Sequence, residues 1–172
     1  MMSEIKCNDT IMHTYGELPE LNQPAPDFVL TDINLEARSL AIDYAAKPVL
    51  INVYPSLDTS VCFASVEKFH QELKGKDIVI LGVSMDTPFA LKRISNKLGY
   101  ENIHLLSDIK NRYFGASYGV TIADGPLGGF LARAVFLLDK NHILIHRELV
   151  EDIANPPDYE AILAKAHQSF GD

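Results

Sequence analysis

Two runs of the chain are apolar almost without interruption, Val49-Leu50-Ile51-Asn52-Val53-Tyr54 and Ile78-Val79-Ile80-Leu81-Gly82-Val83-Ser84-Met85. Neither shows the alternation of a sheet that is wet on one side, so both predict central strands covered on both faces. Pro48 and Pro55 bound the first run, at the positions where a strand can begin and end. Between the runs the period changes. Cys62, Val66, Phe69 and Leu73 fall at i, i+4, i+7 and i+11, a single stripe that predicts a helix beginning near Cys62 and stopped by Gly75. Pro88 in a first turn and Gly99 as a stop frame another helix to about Leu98. Short strands are expected at Phe28–Thr31 and Ile103–Leu106, and a weakly helical or irregular connection over Leu35–Ala45.

The order then changes. Ala134–Leu138 and Ile143–Leu149 read as strands separated by Asp139-Lys140-Asn141, a tight-turn sequence that makes an antiparallel hairpin. Pro156-Pro157 introduces a last helix over Asp158–Gln168. A βαβ unit followed by ββα, with an extra helix and strand between the halves, is an α/β arrangement of thioredoxin-like type: a mixed central sheet with flanking helices. Residues Met1–Gln23 are mixed and polar, and end in Pro24-Ala25-Pro26; they read as an N-terminal arm leading into one domain over residues 24–172.

Composition narrows the function classes. The 172 residues are 47% hydrophobic and 22% charged, the profile of one globular domain. A formal charge of -8 repels phosphate backbones and anionic surfaces, so nucleic acid and membrane are not expected partners. No apolar stretch approaches the roughly eighteen residues of a bilayer span, and Glu4, Lys6, Asp9 and Glu17 break any signal-peptide core. A cytoplasmic location is therefore expected. The cysteines are Cys7 and Cys62 alone, which leaves no disulfide framework and no Cys-x-x-Cys pair.

Cys62 stands where a loop from a buried strand meets a helix, at the end of the sheet where α/β proteins keep their sites. With Asp58, Thr59 or Ser60 as N-cap, the sulfur falls in the first turn, near unpaired amides and the positive end of the helix dipole. Such surroundings favour a thiolate, the nucleophilic form. The competing reading is a small hydrophobe packed on the apolar stripe, as free cysteines often are; position alone does not separate the two.

The spacing around it does. Pro55, Thr59 and Cys62 form P-x-x-x-T-x-x-C, which resembles the active-site signature of the peroxiredoxins. Ser56-Leu57-Asp58-Thr59, Asp124-Gly125-Pro126-Leu127, Ala132-Arg133-Ala134-Val135 and Pro157-Asp158-Tyr159 look, in order and separation, like the thiol peroxidase (atypical two-cysteine) subfamily, from about Pro24 to the last helix. The resemblance implies a thioredoxin-like peroxiredoxin domain that reduces hydrogen peroxide and organic hydroperoxides through a sulfenic acid on Cys62, recycled by thioredoxin or another thiol. It implies a homodimer and no cofactor. It implies that Thr59 hydrogen-bonds the thiolate and peroxide, that Pro55 shields the sulfur, and that Arg133 completes the pocket with a permanently charged, multiply donating guanidinium.

The resemblance breaks at Ser95, which occupies the position of the subfamily's resolving cysteine; a hydroxyl cannot condense with a sulfenic acid to a disulfide. Ile94 and Asn96 replace an aromatic residue and a glycine, and Ser60 and Phe63 a glycine and an alanine. Ser95 fits either an engineered change that traps one state or a cycle run on one cysteine with an external thiol, and it motivates a second reading, a redox sensor or inactive relative. Cys7, in a polar arm, reads as a tolerated residue rather than a substitute resolving thiol.

Other constellations carry less. His142 and His146 share a strand face at roughly 13 Å, too far for one metal ion. Gly125-Pro126-Leu127-Gly128-Gly129 lacks a phosphate-loop ending and reads as a loop near the pocket. Glu148, Glu151 and Asp152 read as a solvated acidic patch or a subunit edge.

Overall fold

The computed structural model describes residues 2–170. Its main sheet has seven strands in the order β10-β9-β5-β6-β7-β3-β4, formed by β3 (Val29–Thr31), β4 (Ala37–Ser39), β5 (Val49–Val53), β6 (Val79–Ser84), β7 (Ile103–Ser107), β9 (Ala134–Leu138) and β10 (Leu144–Leu149). β5, β6 and β7 are parallel, and β9 runs antiparallel to both β5 and β10. The mixed sheet expected from the order of apolar runs is thus present. Every residue of β5 and β9 is buried, as their unbroken apolar character requires.

Alternation along β5 divides the core. Val49, Ile51 and Val53 face a layer with Leu40 of the short α1 (Leu40–Asp43) and with Phe114 and Tyr118 of α4 (Tyr113–Tyr118). Leu50 faces Phe69 and Leu73 of α2 (Ser60–Leu73) and Ile162, Leu163 and Ala166 of α5 (Tyr159–Phe170). α3 (Pro88–Leu98) covers the same side, Leu91 meeting Val66 and Leu105. Its frame matches the sequence reading, Pro88 opening the first turn and Gly99 at φ 64° taking the left-handed stop, its N–H donating to the Ser95 carbonyl at 3.1 Å; Thr87 adds the cap at its start. Glycine accepts that conformation without a Cβ penalty.

The N-terminal residues differ from the arm expected of them. β1 (Met2–Cys7) and β2 (Thr10–Tyr15) pair as an antiparallel hairpin, with Ile5 opposite Met12, and β2 pairs with β8 (Thr121–Ile122) in a second sheet. Ile5 and Met12 are buried with Ile122, Ala132 and Ile153. The polar look of this stretch comes from the outward positions Glu4 and Lys6; two apolar residues suffice to seat it. β4, α1, α4 and β8 were not individually resolved by the apolar pattern, being two to six residues long. Among the described residues no helix is long and apolar enough to cross a membrane.

Candidate active site

β5 ends at Val53, and the chain turns through Pro55 to Thr59 into α2. Asp86, just past β6, holds this turn in place: its carboxylate accepts Ser56 Oγ at 2.7 Å, Leu57 N at 2.8 Å and Ser84 Oγ at 2.8 Å. Thr59 is the N-cap, in extended conformation at φ -124° and ψ 152°, and its Oγ1 accepts the Cys62 N–H at 3.4 Å while donating to the Ser56 carbonyl at 3.2 Å. Cys62 therefore occupies the first turn of α2. A second tie fixes that turn to the sheet, because buried Asn52 donates to Ser65 Oγ at 3.0 Å and Ser65 Oγ donates to the Cys62 carbonyl at 2.7 Å.

The Cys62 sulfur meets a buried cation. Arg133, one residue ahead of β9, is only 3% exposed, and its Nη2 lies 3.4 Å from Cys62 Sγ. The same guanidinium is aimed by a single backbone oxygen: Nε and Nη2 donate to the Ile153 carbonyl at 3.0 and 2.8 Å. Among the described residues nothing pairs with Nη1. A buried donor without a partner is uncommon in a folded protein. Cys62 and Arg133 line a pocket of about 500 Å³ together with Pro55, Thr59, Leu127, Phe130 and Ile153, so the glycine-rich loop expected near the pocket contributes Leu127 to its wall.

Two tyrosines feel this centre. Burial pushes the Tyr54 hydroxyl well above its ordinary range, and the charges of Asp86 and Cys62 push it further. Burial raises Tyr159 as well, with Arg133 opposing and Cys62 adding. Tyr54 Oη fills the space that a Cβ on Gly82 would take, so the glycine inside β6 is there for close approach.

The structure thus brings together Pro55, Thr59, Cys62 and Arg133 from two separated segments. The Thr59 hydroxyl caps the helix and bonds the Ser56 carbonyl, and both of its recorded bonds are to backbone. Ser95 stands apart, half-buried on α3, lining a small separate cavity with Leu98, Tyr100 and Ile103. Asp86 and the Ile153 carbonyl escaped the sequence reading. Asp86 acts on a loop thirty residues earlier, and a backbone carbonyl carries no residue-type signal. Asp152, read with Glu148 and Glu151 as a patch or edge, instead builds a turn: its Oδ1 accepts Ala154 N at 3.0 Å and Asn8 N at 3.2 Å. His142 sits in the β9–β10 turn, its Nε2 2.9 Å from the Tyr44 carbonyl, and among the described residues no group of three or more His, Cys, Asp or Glu is placed to hold a metal ion.

Comparison with known proteins adds three findings. The sequence model described as Redoxin matches residues 20–163. A thiol peroxidase of Mycobacterium tuberculosis is 42% identical over 163 residues, covering 95% of this chain and 98% of its own. Among solved structures, a peroxiredoxin-like protein from Aquifex aeolicus superposes with a TM-score of 0.89 at 30% identity over 97% of this chain and 98% of that one, and a thiol peroxidase from Chromobacterium violaceum with 0.89 at 24% identity over 96% and 95%. The last bears on the fold, which is thioredoxin-like with the insertions of these relatives.

Proposed function

The chain belongs to the Redoxin family, and from that premise we propose that it is a thiol-dependent hydroperoxide reductase with Cys62 as the peroxide-attacking nucleophile. One observation carries the assignment: a buried guanidinium, fixed by the Ile153 carbonyl, 3.4 Å from the Cys62 sulfur, with Nη1 unspent.

The chemistry follows from the pocket. The Cys62 thiolate attacks the terminal oxygen of a hydroperoxide in line with the O–O bond. The S–O bond forms as O–O breaks and Cys62 becomes a sulfenic acid; the departing alkoxide or hydroxide takes from solvent the proton released when the thiol ionised, and leaves as alcohol or water. Negative charge moves from sulfur to the leaving oxygen, so a donor fixed beside that path stabilises the transition state more than the ground state. Arg133 supplies it from the guanidinium that already lies beside the sulfur. Thr59 keeps the sulfur at the helix start through its cap, and its hydroxyl adds a second donor to the peroxide on turning from the Ser56 carbonyl. Pro55, itself buried, offers no N–H and keeps water off the sulfur.

A pocket of about 500 Å³ is in the size range of small-molecule sites, which supports organic hydroperoxides as substrates beside hydrogen peroxide. The electrons come from thiols, so the cycle calls for no metal or organic cofactor; thioredoxin or a similar thiol closes it. A homodimer in the cytoplasm completes the reading, with the β1–β2 hairpin packed onto the domain expected over residues 24–172. The sensor alternative suggested by Ser95 is not favoured by the comparisons, whose named relatives are thiol peroxidases. Cys62→Ser abolishes peroxide consumption on this account; turnover retained by that variant would refute it.

A further inference from the structure

Resting on that reading, we propose that Cys7 is the resolving thiol, forming an intramolecular disulfide with oxidised Cys62. The pocket that holds Cys62 and Arg133 is also lined by Cys7. Burial alternates along β1, with Ile5 buried and Glu4 and Lys6 exposed, so Cys7 shares the inward face of Ile5 and packs against the cluster that contains Ile153. Its neighbours on both sides are tied to the segment that aims the arginine. Lys6 N donates to the Glu151 carbonyl at 2.8 Å, Ile153 N donates to the Lys6 carbonyl at 2.9 Å, and Asn8 N donates to Asp152 Oδ1 at 3.2 Å. Ile153 then accepts from Arg133, which touches Cys62 Sγ. The hairpin end is thereby fixed as a wall of the peroxide pocket, half-exposed toward it, whereas Ser95 lines a different cavity and has no sulfur.

The step balances. Peroxide has already taken two electrons from Cys62. The Cys7 sulfur attacks the sulfenic sulfur, the S–S bond forms, the S–O bond breaks, and the hydroxyl leaves with the Cys7 proton as water; an external dithiol later reduces the bridge. A disulfide holds its Cα atoms at roughly 4.4–6.8 Å. Bringing the two sulfurs to that distance requires the first turn of α2, held by the Thr59 cap and the Ser65 bond to the Cys62 carbonyl, or the hairpin end, held by its bonds to Glu151–Ile153, to move.

The test is intact mass and non-reducing peptide mapping of the full chain after one equivalent of hydrogen peroxide, with and without a dimedone-type trap. Wild type should lose about 2 Da and yield a linked Cys7–Cys62 peptide pair, whereas Cys7→Ser and Cys7→Ala should gain about 16 Da, or the trap's mass, on Cys62. With excess peroxide the Cys7 variants should reach the sulfinic acid in a larger fraction of chains than wild type. A wild-type protein whose Cys62 is trapped to the same extent as in Cys7→Ser overturns the proposal while leaving the peroxidase reading intact. A covalent dimer through Cys7 overturns the intramolecular form. A Cys62 that does not oxidise at all overturns the reading beneath it.

Discussion

Arg133 is the residue whose removal tests the site most sharply. Its Nη2 stands 3.4 Å from Cys62 Sγ, and a unit charge pair at that distance in an effective dielectric of about 20 attracts by about 5 kcal/mol. Most of that attraction is present before and after the O–O bond stretches, so only the part that grows as charge passes to the leaving oxygen accelerates the reaction. Losing one preorganised donor of this kind costs about 10²–10³ in rate. Arg133→Met should slow Cys62 oxidation by that factor, read by stopped-flow fluorescence or by competition for peroxide against a reference enzyme. Arg133→Lys should recover little, because one ammonium cannot bond the Ile153 carbonyl through two nitrogens, reach the sulfur and still present a donor to the peroxide. The variant also strips the Ile153 carbonyl of two donors, a loss of about 1–3 kcal/mol of stability. Urea unfolding of the same preparations separates the two effects. A folded Arg133→Met protein oxidised within threefold of the wild-type rate would refute the role given to the guanidinium.

Three further perturbations follow from named contacts. Gly82→Ala sets a Cβ against Tyr54 Oη, an overpacking that costs about 1–3 kcal/mol and displaces a side chain packed in the Cys62 cluster; urea unfolding midpoints check it, and an unchanged midpoint counts against the packing argument. Asp86→Ala leaves Ser56, Leu57 and Ser84 without their shared acceptor. It should lower stability by about 1–3 kcal/mol and slow peroxide consumption as the turn before Cys62 loosens, whereas unaltered kinetics would detach Asp86 from the site. His146 is held below its ordinary value of 6.5 by burial, against the opposing charge of Glu148. The unfolded chain then binds more protons than the folded one between that depressed value and about 6.5. Its contribution is full above about 6.5, declines as pH falls through the window and levels off below the folded value. Stability measured from about pH 7.5 to 5 should slope less in His146→Gln than in wild type; equal slopes would exclude His146 as a source.

What the sequence made legible is what the hydrophobic pattern dictates locally. β5 and β6 are unbroken because they are covered on both faces, α2 carries a stripe and an N-cap candidate in Thr59, and α3 carries its terminal signals in Pro88 and Gly99. The hairpin of β1 and β2 was hidden because its seat rests on Ile5 and Met12, with charged residues between. α4 begins at Arg112 in a left-handed conformation with no side-chain cap, so nothing announces its start. The spacing of Pro55, Thr59 and Cys62 was readable as a unit, being one loop. The rest of the site depends on tertiary neighbours: Asp86 reaches back to Ser56, a carbonyl at Ile153 aims the arginine, and Cys7 comes to the pocket only because the hairpin folds over it.

The first turn of α2 carries two demands that oppose each other. For attack, the sulfur must be held beside Arg133 with its charge facing the peroxide, and the cap at Thr59, the Ser65 bond to the Cys62 carbonyl and the Asp86 turn all serve that. For resolution, the same sulfur must come within bonding distance of Cys7, which lines the same pocket. The cap on Cys62 N, at 3.4 Å, is like those of α1 and α3, Ser39 on Ile42 N at 3.4 Å and Thr87 on Ala90 N at 3.3 Å, whereas the Ser65 bond to the Cys62 carbonyl is short at 2.7 Å. Removing an N-cap acceptor costs about 1 kcal/mol and a typical hydrogen bond such as that of Ser65 contributes about 1 kcal/mol more, so opening the first turn has a cost that formation of the S–S bond must offset. On the proposal that Cys7 resolves, the pocket attacks with the turn held and resolves only once the sulfur has moved to Cys7.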